Sequence, residues 1–215
     1  MSGAWEAAVV PATETRWNHN IHYHPFVLAA VPPGSRAALD VGCGEGLLTK
    51  ELSAVVPSVI GIDRDRPVLE RAKSHARGPG IEYLQANILT HPFEPESFDV
   101  VASIAALHHM DTAAGLERMR DLLRPGGVLA VVGLPRSRWP HDLPYAVAGV
   151  VAHRWLRWRR GGESEMSAPT VWPPPDTFAQ VRATAERLLP GVRMRRHVLF
   201  RYSLLWTKPA TAGRG

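Results

Sequence analysis

A single cysteine, Cys43, stands in 215 residues. That excludes an intramolecular disulfide framework and any metal centre built on several thiolates. Long apolar runs are missing as well. The longest, LPYAVAGVVA from Leu143 to Ala152, is too short to span a bilayer. The stretch from Trp5 to Thr15 holds two glutamates and no extended apolar core, so it does not read as a signal peptide. These absences point to a cytoplasmic protein. Internal repeats are absent too, and nothing marks a second independent domain. With 45% apolar and 21% charged residues the chain has the composition of a globular protein. Fraying is expected only over the first dozen residues and the tail from Lys208.

Negative charge is the scarcer sign: the net charge is +5 and the isoelectric point about 9.9. The excess is concentrated in HRWLRWRR (His153–Arg160) and RMRRHVLFR (Arg193–Arg201). Three readings stay open for these runs: solvated arginines, an anionic substrate, or a membrane or nucleic-acid surface.

Apolar runs of strand length alternate with helical patterns along the chain. A short helix is expected over Pro25–Val31, then a strand in AALDVG and a helix carrying Leu47, Leu48, Leu52 and Val55 at helical spacing. Strands follow at Ser58–Asp63, Ile81–Asn87, Phe98–Ala106 and Val128–Leu134. Helices are expected at Arg66–Ala76, with Pro67 in its first turn, and at Thr112–Leu123. Such alternation builds a parallel sheet covered on both faces. The rhythm breaks from Pro135 to Pro175. It resumes with a helix over Asp176–Leu189, with Asp176 as the expected N-cap, and two closing strands, Val192–Val198 and Tyr202–Lys208.

The chemistry concentrates in ALDVGCGEG. A glycine-rich turn between a first strand and its helix lets a ligand approach the backbone closely. Here Gly42, Gly44 and Gly46 depart from the GxGxxG register of dinucleotide sites, because position 47 is leucine. Asp40 precedes the turn and Glu45 lies within it, and carboxylates there suit a cation better than a pyrophosphate. Asp63, at the end of the second strand, is placed to accept from the hydroxyls of a ribose or to cap the following helix. The ligand so described has a ribose, a cationic centre and no phosphate.

These motifs resemble the class I S-adenosylmethionine-dependent methyltransferases, in particular the small-molecule type 11 group. LDVGCGEG is similar to the family's first motif and VIGIDRD to its acidic second motif. FDVVASIAALHHM matches its fourth-strand motif and LLRPGGVLAVVG the stretch that follows. The resemblance covers about residues 38–134. It implies an α/β, Rossmann-like, seven-stranded and mostly parallel sheet, with strand seven antiparallel and inserted beside strand five. Helices would cover both faces, with an N-terminal lid and a helical insertion after strand five. It also implies S-adenosylmethionine as cofactor, with S-adenosylhomocysteine as product. The backbone of Gly42, Cys43 and Gly44 would lie under the methionine part, and Asp40 would orient the ammonium group. Asp63 would hold the ribose, with Arg64 along the adenine face. Asn87 stands where the family usually has an aspartate that accepts from the adenine amino group; its side-chain oxygen can still accept, with Ile88 beside it. Ser103 and Ile104 would sit near the reactive methyl. Cys43 reads as a small packing residue, since no base stands beside it in sequence.

The acceptor is less legible. Histidines cluster as His19, His22 and His24 in the leader and as His108 and His109 after the fourth strand. His22, His24 and His108 are the candidate general bases or acceptor-positioning groups; for His108 the resemblance also implies the alternative of lining the pocket, as the first histidine of "LHH" does in the family. Trp17, Tyr23, His109 and Trp155 are the candidate lid or substrate contacts. No catalytic metal is expected, because the carboxylate cluster of catechol-type enzymes has no counterpart. In the insertion, Val147, Val150, Val151, Trp155 and Trp158 fall near one helical face, interleaved with His153, Arg154, Arg157, Arg159 and Arg160. A cap over an apolar acceptor, a dimer or partner surface and an interfacial membrane helix all fit that pattern.

The chain is therefore expected to be one methyltransferase domain. Residues 1–35 would form the lid segment, 36–134 the cofactor core, 135–175 an acceptor cap and 176–208 the last helix and strands. A small-molecule acceptor is expected, methylated on oxygen, nitrogen or carbon, without nucleic acid. Association with a membrane surface and the oligomeric state stay open. The lack of a Pro-Pro-Tyr amide motif and of an added RNA-binding domain disfavours nucleobase and RNA substrates. The alternative from another class is a protein that binds the cofactor without methylating, as a pericyclase or a partner subunit. A nicotinamide oxidoreductase fails on the glycine spacing and on Glu45.

Overall fold

The structure, a computed structural model, describes residues 18–138, 148–151, 153–155, 158, 173–197 and 199–210. Trp17, Val147, Arg157, Arg159 and Arg160 lie outside the described residues. Seven strands form one sheet: β1 (Ala37–Val41), β2 (Ser58–Asp63), β3 (Ile81–Gln85), β4 (Phe98–Ile104), β5 (Leu123–Gly133), β6 (Arg193–His197) and β7 (Arg201–Thr207). Their order is β3-β2-β1-β4-β5-β7-β6. The first five run parallel, with Ala37 opposite Ser58 and Val41 opposite Ile62, for example. β7 runs antiparallel to both β5 and β6, so it enters beside strand five as the family resemblance implies.

Period-two alternation explains how one sheet carries two cores. Leu39, Val101, Leu129 and Val131 face one cluster, with Leu116, Met119 and Leu122 from α4 (Thr112–Leu122) and Ala185 from α5 (Phe178–Leu188). Ala38, Val100, Ala102, Ala130 and Val132 face the other. That second layer is filled by Tyr23 and Val27, at and within α1 (His24–Leu28), and by Leu48 and Leu52 of α2 (Leu47–Leu52). At the opposite edge from the site, Asp99 Oδ2 accepts from the amides of Arg36 and Ala37 at 2.8 and 2.9 Å and from Arg124 Nη1 at 2.9 Å. Together these contacts hold the Asp99 carboxyl below its usual range against the opposing effect of burial.

Caps decide where the helices begin. Asp65 accepts from Val68 N at 3.2 Å and opens α3 (Arg66–His75), with proline in its first turn. Asp63 therefore does not cap this helix. The last helix differs from expectation as well. Its N-cap is Thr177, not Asp176, and Thr177 with Gln180 forms a capping box. Asp176 instead accepts from the Thr112 hydroxyl at 2.7 Å, tying the starts of α4 and α5 together. Other boundaries shift in smaller ways. α1 ends at Leu28 and is preceded by a 3-10 turn, Ile21–Tyr23, β3 stops two residues early, and β5 begins at Leu123 and carries the RPGG stretch within it.

Candidate active site

The carboxyl ends of β1, β2 and β4 open onto a cavity of about 670 Å³. It lies where the strand order reverses direction, the place at which open α/β sheets bind ligands. The glycine turn forms its floor. Gly42 has φ +72°, and a Cβ there would overlap the Cβ of Ala106. Only a residue without a side chain lets β1 turn beneath the tip of β4. Gly46, at φ +75°, meets the ring of Tyr83 in the same way. Ala105, also lining the cavity, adopts φ +55° without being glycine, backbone strain of the kind that gathers at functional sites.

Three carboxylates surround this floor, and each is differently occupied. Asp40 is buried and accepts from the Thr49 hydroxyl at 2.7 Å. Burial pushes its pKa up to about 6, against the effects of Thr49 and the nearby His24. Asp63 accepts from Gly44 N at 2.9 Å and from Asp65 N at 3.0 Å, so it locks the glycine turn to the end of β2. Glu45 meets Arg71 Nε at 3.2 Å, which tempers the bare negative charge expected of the turn. At the other end of the cavity Asn87 Oδ1 accepts from Leu89 N at 3.1 Å. A second lone pair on that oxygen remains for a ligand, beside Ile88 in the cavity wall.

The structure sorts the expected site residues. Asp40, Gly42, Cys43, Gly44, Asp63, Arg64, Asn87, Ile88 and Ile104 all line the cavity, as do His24 and His109. Burial raises the Cys43 thiol well above its usual range, so it is held as a thiol. Ser103 does not line the cavity: it is fully buried and donates to Val41 O at 3.1 Å. Its hydroxyl is spent joining β4 to β1. His22 is exposed and rests against Tyr23, whose own ring is buried in the core beside His197. His108 is buried behind His109, with ring centroids 4.1 Å apart. Burial lowers its pKa to about 4, with His109 and Arg201 adding to the effect. No described residue of the 135–175 insertion, Trp155 included, lines the cavity.

Of the three candidate bases only His24 reaches the cavity. Its Nδ1 lies 3.1 Å from Glu51 Oε2 of α2, at ion-pair distance but too oblique for a directed hydrogen bond. Two further features are not among the expected site residues. Asn18, Asn20 and Ile21 also line the cavity. Arg201 is buried at the start of β7, where its Nη2 donates to Asn20 Oδ1 at 3.0 Å, so this member of a basic run is not a solvated arginine. A hint lay in its place at the strand start, on the sheet edge that carries the site. Among the described residues no group of three or more metal-ligating side chains converges.

A methyltransferase domain model matches residues 39–131, from β1 to β5. An uncharacterized methyltransferase of Mycobacterium bovis is 40% identical over 194 residues, spanning 90% of this chain and 98% of that protein. The chain belongs to the class I S-adenosylmethionine-dependent methyltransferases. A ubiquinone biosynthesis O-methyltransferase of Rhodopseudomonas palustris is 34% identical over 122 residues, 56% of this chain and 47% of that one. In fold, this methyltransferase resembles the N-methyltransferase NodS from Bradyrhizobium japonicum WM9, solved with S-adenosylhomocysteine. The TM-score is 0.59 at 17% identity, over 88% of this chain and 87% of that one. Membership of this family makes S-adenosylmethionine the cofactor. The donor set of the cavity fits it: oxygen acceptors, two of them carboxylates, for an ammonium group and ribose hydroxyls, and an amide for an adenine.

Proposed function

We propose that this methyltransferase methylates a hydroxyl group on a small, partly apolar acceptor, with His24 as the base. The observation that carries the reading is His24 itself, buried yet lining the cavity, with Glu51 behind its Nδ1. An amine acceptor needs only to be neutral, whereas a hydroxyl must lose its proton as it attacks. A histidine beside a carboxylate supplies that function: Glu51, at ion-pair distance, lies next to the positive charge that His24 would gain as it takes the proton. The relative named as an O-methyltransferase supports the same choice.

The bound cofactor supplies an electrophilic methyl group on a sulfonium, and its displacement leaves a neutral thioether. The chain supplies alignment, exclusion of water and a proton acceptor. Gly42, Cys43 and Gly44 would present backbone beneath the methionine part. Asp40 would hold the ammonium group, Asp63 the ribose, and Arg64, Asn87 and Ile88 the adenine. Ile104 and His109 would flank the reacting end, and His24 would take the acceptor proton. In this reading residues 18–35 close over the core of 36–134, and the protein works in the cytoplasm as one methyltransferase domain. The insertion is not assigned as a cap, because none of its described residues lines the cavity.

Methyl transfer from labelled cofactor to a panel of hydroxylated aromatic and aliphatic compounds tests this reading. His24→Ala should lower kcat about a hundredfold or more, the usual contribution of a general base, with affinity for S-adenosylhomocysteine unchanged. Glu51→Gln should lower it by less, and His22→Ala should not change it. Turnover by His24→Ala at the wild-type rate and with the wild-type pH profile would remove His24 from the mechanism.

A further inference from the structure

The helical residues at 148–151, 153–155 and 158 are apolar on the wrong side for a core. Val150 is 52% exposed, Val151 63%, Trp155 51% and Trp158 81%. At 3.6 residues per turn these four fall within an arc of about 140°. Gly149, which is buried, and His153 lie on the opposite side of the helix. His153 Nδ1 is 2.7 Å from His19 Nε2, one nitrogen donating to the other. The helix is thus held to the leader by its polar side and presents its valines and tryptophans outward.

We infer that this outward face is a docking surface for an anionic lipid bilayer. Charge and side-chain type both favour that occupant. From Leu143 to Arg160 the sequence contains no acid, against Arg154, Arg157, Arg159 and Arg160. Arg154 is exposed and falls within the same apolar arc, where a long stem can lie in the acyl boundary while the guanidinium reaches the headgroups. Tryptophan, with an apolar body and one polar N–H, is suited to that boundary. A second copy of the chain fits less well. A two-fold contact would bring the two basic segments together.

His19 stands between Asn18 and Asn20, which line the cavity, so the His19–His153 contact ties the docking helix to the segment that borders the cavity. The surface does not depend on the hydroxyl reading, because vesicle binding requires neither acceptor nor methyl transfer.

The full chain should float with vesicles of phosphatidylglycerol and phosphatidylcholine, not with phosphatidylcholine alone, and release as salt is raised. The double variant Val151→Ser/Trp158→Ser should bind about tenfold or more weakly, as expected from removing buried apolar side chains. Arg154→Glu should weaken binding to the anionic vesicles. Unchanged affinity for S-adenosylhomocysteine in each variant shows that it is folded. The inference is overturned if the chain ignores anionic vesicles or if the double variant floats equally well. A concentration-dependent dimer in sedimentation velocity, abolished by the double variant, would assign the face to a second copy instead.

Discussion

Burial and charge oppose each other most directly at Asp40. In the folded, ligand-free protein its pKa is raised from 3.8 to about 6 by burial. Its stabilising contribution is therefore present below pH 3.8 and lost as pH rises through about 6. A cofactor ammonium group beside it, as proposed, would reverse the balance by favouring the carboxylate. Affinity for S-adenosylhomocysteine should then rise with pH through about 6, with protons released on binding. Asp40→Asn should abolish that pH dependence and weaken binding about tenfold or more, the scale of a hydrogen bond to a charged group. Calorimetry in buffers of different ionisation enthalpy between pH 5 and pH 7.5 reads both effects. Gly42 makes a second prediction at this scale. Gly42→Ala places a Cβ against Ala106 at positive φ, costing about 2 kcal/mol, visible as a lower melting temperature together with weaker cofactor binding.

Elements were legible where local chemistry and packing agree. β1, β2 and β4 are predominantly apolar because both their faces are covered, and the glycines after β1 mark its end. α5 shows the limit. Asp176 and Thr177 are both good N-cap residues, and composition does not choose between them. The choice falls to Thr177 because Gln180 completes its capping box, while α4 claims Asp176 through Thr112. Thr177→Ala should cost about 1 kcal/mol and lower the melting temperature by about 2–4 °C, as differential scanning fluorimetry can check. The end of α2 was misjudged for a related reason. Helical spacing marked Val55 as a core residue, but the helix stops at Leu52, leaving Val55 exposed and Val56 buried.

At the scale of the whole molecule, sheet order and cofactor chemistry follow from contiguous motifs, and the acceptor side does not. The residues proposed to hold the cofactor lie at strand ends whose places are set by the sheet, so the sequence motif carries their geometry. The histidines come from a leader and a strand tip whose packing depends on residues far away in sequence. His24 turns into the cavity, His22 faces solvent, and His108 is shut behind His109. Nothing local in NHNIHYHP separates the first two. The insertion was ambiguous in the same way. Its amphipathic pattern was plain, but which face turns inward depends on the His19–His153 contact.

The central claim is methyl transfer to a hydroxyl at this cavity. The most direct measurement is mass spectrometry of products after incubating the purified chain with methyl-labelled cofactor and a metabolite extract. The account predicts a labelled methyl ether, formed by the wild type and lost with Asp63→Ala. A labelled methylamine, or calorimetrically tight binding of S-adenosylhomocysteine with no methylated product from any extract, would contradict it.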